Sequence, residues 1–235
     1  VTDLVSLVDI APTFLELAQV PVPESMSGKS FVRQLLSKSP GRIDPQRNAV
    51  FSGFERHIGT ARLGRRGYPS RAIRTDDYLY IRNFAPDRWP AGRPPTLDDI
   101  DSGSPTKTYL IAQRQEYEKH TLPDVKKEGD MSLGFLPQGN LSAVVNDPAQ
   151  ALTLMASKRP AEELYEVTRD PGQLNNVADN PDYAQIKEAL AEQLAAEMER
   201  TGDPWSTGDG SIFDTYKYYA IDKPDKPVAT IATEK

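Results

Sequence analysis

Two short runs, Ser70-Arg71-Ala72-Ile73-Arg74-Thr75 and Tyr78-Leu79-Tyr80-Ile81-Arg82-Asn83-Phe84, flank the dipeptide Asp76-Asp77. Alternating apolar and polar side chains at period two, closed by turn-forming residues, predict a β-hairpin. A third run, Glu163-Leu164-Tyr165-Glu166-Val167, predicts a further short strand, with Asp170-Pro171-Gly172 as the turn behind it. Such strands need a cover for their apolar face. The chain offers one at residues 181–200, where Tyr183, Ile186, Leu190, Leu194 and Met198 form a single helical stripe. Asn180-Pro181 supplies a cap with proline at the first helical position, and Gly202 stands where a helix C-terminus favours it.

The rest of the chain is read around this unit. Leu4, Val8, Ala11, Leu15 and Ala18 recur at helical spacing, so residues 4–19 predict an amphipathic helix with a restart or kink at Pro12. Val20-Pro21-Val22-Pro23 ends it. Phe31 to Leu36 predict a short second helix before a polar loop at 37–47, and Asn48 to Phe54 an apolar strand. Residues 55–70 hold Arg56, Arg62, Arg65 and Arg66 among three glycines, as a loop that carries function does. From Pro86 to Arg159 the periodicity is weak, with helices expected at 106–117 and 148–157, which suggests a wrapping excursion. Beyond Asp203 the chain reads as an extended tail.

Composition narrows the function classes. The net charge of −6, without long runs of like charge, gives no footprint for nucleic acid or an anionic membrane. The absence of cysteine excludes disulfides, thiolate zinc sites and a cysteine nucleophile within these residues. No apolar run approaches the length of a spanning helix. A start at Val1 that enters a periodic apolar segment at once reads as the interior of a longer protein.

Several segments, in order, resemble one family. Val5-Ser6-Leu7-Val8-Asp9-Ile10-Ala11-Pro12-Thr13-Phe14-Leu15-Glu16-Leu17-Ala18, followed by a proline-rich turn and Gly28-Lys29-Ser30-Phe31, resembles the segment that sulfatases place after their last metal ligands. The hairpin from Tyr68 to Phe84, then Glu163-Leu164-Tyr165, Arg169-Asp170-Pro171 and Asn175-Asn176, resemble the C-terminal sulfatase subdomain. Asn180-Pro181-Asp182-Tyr183 through Gln193-Leu194 to Thr201-Gly202-Asp203-Pro204-Trp205 narrows the likeness to the heparan N-sulfatase branch, also called N-sulfoglucosamine sulfohydrolase. The likeness covers residues 1–84 and 160–214.

What the resemblance implies is a hydrolase of the alkaline-phosphatase-like superfamily that cleaves sulfate esters or sulfamates on glycosaminoglycan-type sugars. Such enzymes use a formylglycine made in a [CS]-x-P-S-R motif and a calcium ion held by Asp and Asn, the metal offsetting charge on the sulfuryl oxygens. The resemblance places both outside this chain, on an N-terminal catalytic part of the same protein, and implies a periplasmic, secreted or lysosome-like location. Gly67-Tyr68-Pro69-Ser70-Arg71 repeats the last four positions of the nucleophile motif, but Gly67 has no side chain to oxidise. No catalytic and no metal-binding residue is therefore expected here, and the fragment alone is expected to be inactive.

A substrate-binding contribution is expected from the loop after the strand at 48–54. Glu55-Arg56-His57 stands where the branch resembles a substrate-contacting histidine loop, and the end of a strand is where a crevice forms in an α/β sheet. His57 can donate to a sulfate or hydroxyl, Arg56 can fork onto a sulfate or uronate, and Glu55 can accept from hydroxyls. Arg62, Arg65 and Arg66 can extend an anionic-sugar pocket. Arg71 and Arg74 read as structural ion-pair partners, Asp98-Asp99-Ile100-Asp101 as a charged surface turn, and Tyr216, Tyr218 and Tyr219 as packing. Neither His57 nor His120 has an Asp partner recognisable in the sequence.

The expected architecture is α/β: residues 1–54 as the end of an alkaline-phosphatase-like mixed sheet, and 55–215 as a C-terminal subdomain with a small antiparallel sheet covered by one long helix. Within it, 55–67 is the substrate loop, 70–84 the hairpin, 86–159 an irregular insertion and 160–201 the strand and helix. Residues 216–235 form an extended tail. Two other functions fit the same residues: a phosphodiesterase or phosphonate hydrolase of the superfamily, and a non-catalytic sugar-binding or scaffold module.

Overall fold

The computed structural model describes residues 1–121, 139–141 and 147–217. Its centre is a four-stranded antiparallel sheet in the order β1-β2-β3-β5, formed by β1 (Ala49–Phe54), β2 (Ser70–Thr75), β3 (Tyr78–Asn83) and β5 (Glu162–Glu166). A two-residue strand β4 (Gly139–Asn140) pairs with β6 (Asn175–Asn176) beside it. The register brings Phe51, Ile73, Tyr80 and Leu164 side by side across all four main strands. Ile73, Tyr80 and Leu164 are almost wholly buried. Each such side chain contributes about 1.5–3 kcal/mol of hydrophobic stabilisation.

The cover is the helix Ala184–Arg200, which packs on β2 and β3 through Leu190, Leu194 and Met198. Its entry follows the sequence: the Asn180 side chain accepts from the Asp182 N–H, and Pro181 opens a short 3-10 turn at Pro181–Tyr183. Its exit is set by Gly202, whose φ of +67° lets the chain reverse so that the Asp203 N–H reaches the Met198 carbonyl at 2.8 Å.

The strand expected at 48–54 is β1, and it pairs with β2 over its whole length, from Ala49 opposite Thr75 to Phe54 opposite Ser70. The small sheet therefore begins at residue 49, because the hairpin's outer edge offers β1 a complete hydrogen-bonding ladder.

Before it, the expected helix at 4–19 is a 3-10 turn Leu7–Asp9 leading into a helix Ile10–Leu17, a restart that leaves Pro12 in the first turn, where its missing N–H costs little. Polar groups anchor this segment. Asp9 accepts from Lys29 N–H at 2.7 Å, Ser6 N–H at 3.1 Å and the Arg47 guanidinium at 2.9 Å. Gly28 permits the close approach, since a Cβ there would stand 2.1 Å from the Val8 carbonyl oxygen. Of the stripe that the spacing predicts, Leu4 and Leu15 are half-buried while Val8, Ala11 and Ala18 are exposed, and beside it Leu7, Phe14 and Leu36 are 83%, 66% and 70% exposed.

The described residues between 86 and 159 hold more regular structure than their weak periodicity suggests. The described part holds helices Pro105–Thr121 and Pro148–Ala156 packed on each other, with Ala91, Leu97, Leu152 and Ala156 as a second small core. Two helices that share one narrow contact need only a few apolar positions each, too few to dominate a helical pattern.

Candidate functional site

The loop 55–67 leaves the end of β1 and is fastened on two sides. Residues 86–100 hold one side, and the segment 203–216, after the covering helix, lies across the other. The expectation of a loosely wrapping tail from Asp203 is thus corrected for its first part. Tyr218 and Tyr219 lie outside the described residues.

The first fastening is Asp99. Its carboxylate accepts from the Ile58 N–H at 3.0 Å and forms an ion pair with Arg62, both side chains being only 4% exposed. Arg62 also donates to the carbonyls of Trp89 at 2.7 Å and Pro90 at 2.6 Å. Its guanidinium lies 5.6 Å from the centre of the Tyr68 ring. The Asp99 carbonyl lies 3.3 Å from Nδ1 of His57, and its carboxylate 3.6 Å from the same nitrogen. The run Asp98–Asp101, read as a charged surface turn, is corrected by this residue: Asp99 is an internal clamp.

The second fastening comes from 203–216. Asp214 accepts from the Gly67 N–H at 2.9 Å and pairs with Arg88 at 2.8 Å, while the Tyr216 carbonyl accepts from Arg56 at 2.7 Å. Burial raises the Asp214 pKa, but Arg88, the Gly67 N–H and the nearby Arg66 outweigh it and hold the carboxyl below its ordinary value. Asp203 takes the Arg71 guanidinium at 2.5 Å, and Arg71 also reaches Glu55 at 2.5 Å. Arg71 lies in β2 opposite Gly53, whose missing Cβ leaves room for the guanidinium.

Glu55 thereby sits between two donors, Arg71 and the Trp205 indole N–H at 2.8 Å. Burial is the largest influence on its pKa and pushes it up, with Asp203 adding to this; Arg71 and Trp205 oppose but do not cancel it. Arg71 is a structural ion-pair residue as expected. Arg74 instead donates to the Thr75 carbonyl at 2.8 Å.

Of the six residues expected to read a substrate, the structure divides three from three. Arg62 is buried on Asp99, and Arg56 bridges the Arg65 and Tyr216 carbonyls. Glu55 is held by Arg71 and Trp205. His57, with a side chain 62% exposed, Arg66, and the half-exposed Arg65 present themselves outward. Arg65 does so with a positive φ of 55° behind Gly64 at 67°. Asp99, Asp203, Trp205 and Asp214 belong to the site and were not singled out from sequence as such; Asp203-Pro204-Trp205 stood out only through the family likeness.

Among the described residues, no three His, Asp or Glu side chains converge as a metal centre needs. The described residues do not fit a calcium ion. A separate cleft of about 640 Å³ lies away from the loop, between the N-terminal segment, β1 and the covering helix, with the buried Asp9–Arg47 pair in its wall. Among the described residues no helix is long and apolar enough to cross a membrane.

Residues 1–90 match the family described as N-sulphoglucosamine sulphohydrolase, C-terminal. An ulvan-active sulfatase of Formosa agariphila is 28% identical over 200 residues, covering 85% of this chain and 30% of the relative. The human N-sulphoglucosamine sulphohydrolase is 24% identical over 219 residues, covering 86% of this chain and 33% of the relative. The chain thus spans about a third of the length of the curated relatives it matches. Among solved structures, a 2-O GAG sulfatase is similar with a TM-score of 0.45 and 16% identity, covering 85% of this chain and 26% of that one. By these matches the chain is similar to a part of the sulfatases, and its residues 1–90 to the C-terminal portion that the family model describes.

Proposed function

We propose that this chain is the substrate-side, C-terminal portion of a hydrolase that removes sulfate from sulfated sugars of the glycosaminoglycan type, and that its loop 55–67 forms one wall of the sugar pocket. The observation that carries this reading is the outward presentation of His57, steadied through Nδ1 by Asp99, on a loop whose Arg65 and Arg66 also face out. A fixed imidazole and two guanidinium groups suit an anionic sugar, since charge-assisted hydrogen bonds to sulfate are about twice as strong as neutral ones. The names of the relatives support the substrate class: two act, as named, on ulvan and on N-sulphoglucosamine.

The sulfuryl-transfer machinery, including any formylglycine and calcium, belongs in this reading to a catalytic part outside the described residues. The uncovered apolar side of residues 5–36 is the surface on which that part would pack, since a contiguous exposed apolar face marks an interaction site. A secreted, periplasmic or lysosome-like setting suits that substrate class. The test is steady-state kinetics of the full polypeptide on a sulfated glucosamine and on a small aryl sulfate. His57→Ala is expected to raise KM for the sugar about tenfold or more while leaving the aryl sulfate nearly unaffected. Equal losses on both, or none on either, would remove the loop from the substrate pocket.

A further inference from the structure

Glu55 is the one acidic residue in the cationic loop, and its carboxylate is held asymmetrically. Oε1 accepts from both Arg71 Nη2 and Trp205 Nε1. Neither of these bonds uses Oε2, and the side chain is 24% exposed. Two donors converging on one oxygen fix the rotation of a carboxylate, which leaves the other oxygen as an oriented acceptor.

The donors are themselves braced. Arg71 is gripped by Asp203 through Nε at 2.5 Å and Nη2 at 3.2 Å, and donates to the Phe54 and Ser70 carbonyls. Asp203 also accepts from the Trp205 N–H at 3.0 Å, so one side chain places both of Glu55's partners. Trp205 stacks on Phe84 with ring centres 4.8 Å apart and lies against Gly210, where a Cβ would come within 1.9 Å of the indole. Charge adds the chemistry. Glu55 and Asp203 carry two negative charges around the single positive charge of Arg71, so this corner of the loop is net negative while His57, Arg65 and Arg66 face out a few residues away.

We infer that Glu55 is a specificity residue that accepts a hydrogen bond from a free hydroxyl on the sugar and rejects a sulfate at that position, and that Asp203 and Trp205 are positioning residues that hold it so. This rests on the reading of the loop as a wall of the sugar pocket. A sulfated sugar meets cationic groups at one of its positions and an oriented, net-negative acceptor at another. An unmodified hydroxyl satisfies that acceptor. A second sulfate brings like charge against it and offers it no proton, and a site built to bind a donor rejects a ligand lacking one far more strongly than a plain apolar pocket can.

The experiment compares a monosulfated with a disulfated glucosamine on the full polypeptide, reading the ratio of their kcat/KM values. In Glu55→Gln the amide oxygen can keep Arg71 and Trp205 while the NH₂ replaces the outward acceptor by a donor. The ratio is expected to move toward the disulfated sugar by about tenfold or more. Trp205→Phe keeps an aromatic ring for the stack on Phe84 but removes the N–H together with the second ring of the indole. It is expected to move the ratio the same way by a smaller factor, and Gly210→Ala, which displaces the indole, should do likewise while lowering the melting temperature. Should Glu55→Gln fail to fold, Trp205→Phe reads the same ratio.

A wild-type enzyme active on both sugars whose ratio is unmoved by Glu55→Gln or Trp205→Phe overturns the specificity role and leaves the sulfatase reading intact. A loss of rate shared equally by both sugars shows a merely structural role and also overturns it. A wild-type polypeptide inactive on both sugars brings down the sulfatase reading, and this inference with it.

Discussion

Replacing Asp99 with alanine tests the clamp on the loop at 55–67. Asp99 and Arg62 are both 4% exposed, so the pair lies in a region where a lone charge is costly. Without Asp99, Arg62 keeps only the carbonyls of Trp89 and Pro90, and its Nη1 already lacks a hydrogen-bond partner. The Ile58 N–H loses its acceptor as well. Breaking a buried pair by removing one partner costs about 3–5 kcal/mol, a large share of a typical total stability of about 5–15 kcal/mol. For a chain of this size, where each kcal/mol moves the melting temperature by about 2–4 °C, the expected drop is about 10 °C. Thermal unfolding followed by circular dichroism, with urea unfolding in parallel, gives the measurement. The double variant Arg62→Met with Asp99→Leu removes both charges and should recover most of the loss, because a well-packed apolar pair can replace a buried ion pair. The reasoning is refuted if Asp99→Ala costs less than about 1 kcal/mol, as an exposed pair would, or if the double variant is no better than the single.

Other outcomes follow from the same structure. Leu164→Ala, at a wholly buried position in the central row of the sheet, should cost about 2–5 kcal/mol by urea unfolding. Asn180→Ala should cost about 1 kcal/mol in the same assay, through the lost cap on the Asp182 N–H. On acidification, Asp9 and Asp214, both held below the ordinary carboxyl value of 3.8, contribute stability that is present above that value and lost as pH falls through their lower folded values. Urea midpoints should therefore fall below about pH 4, and Asp214→Asn should flatten part of that fall. A midpoint independent of pH between about 5 and 2 would contradict both assignments.

The sheet and its cover were legible because each carries a period of its own: Ile73 and Tyr80 alternate with polar neighbours, and Leu190, Leu194 and Met198 fall on one helical face. Local caps were legible for the same reason, since Asn180 and Gly202 act on residues next to them. The partners of the loop were not. Arg62 looks like any solvated arginine until Asp99, 37 positions later, is brought against it, and no local pattern marks Asp99 among its acidic neighbours. Glu55 likewise reads as a free acceptor until Arg71 and Trp205 converge on one of its oxygens. The apolar stripe near the N-terminus predicted burial that the described residues supply only in part, at Leu4 and Leu15, because a pattern reports what a surface favours and not what meets it.

The fastening of residues 55–67 by 203–216 also fixes when this loop can take shape during synthesis. Glu55 and Trp205 are 150 positions apart, Gly67 and Asp214 147, and Arg56 and Tyr216 160. At a ribosomal pace of about 5–20 residues per second, the hairpin and its neighbours wait on the order of ten seconds for the segment that completes them. During that interval β1 and β2 can pair, but Arg71 lacks Asp203 and the loop has only its Asp99 side in place. Contacts of such long sequence separation form late and slowly. A nascent chain that stalls or is trimmed before residue 203 would therefore carry a formed sheet beside an unassembled loop, and quality control would meet it as a nearly folded protein with one fastening missing.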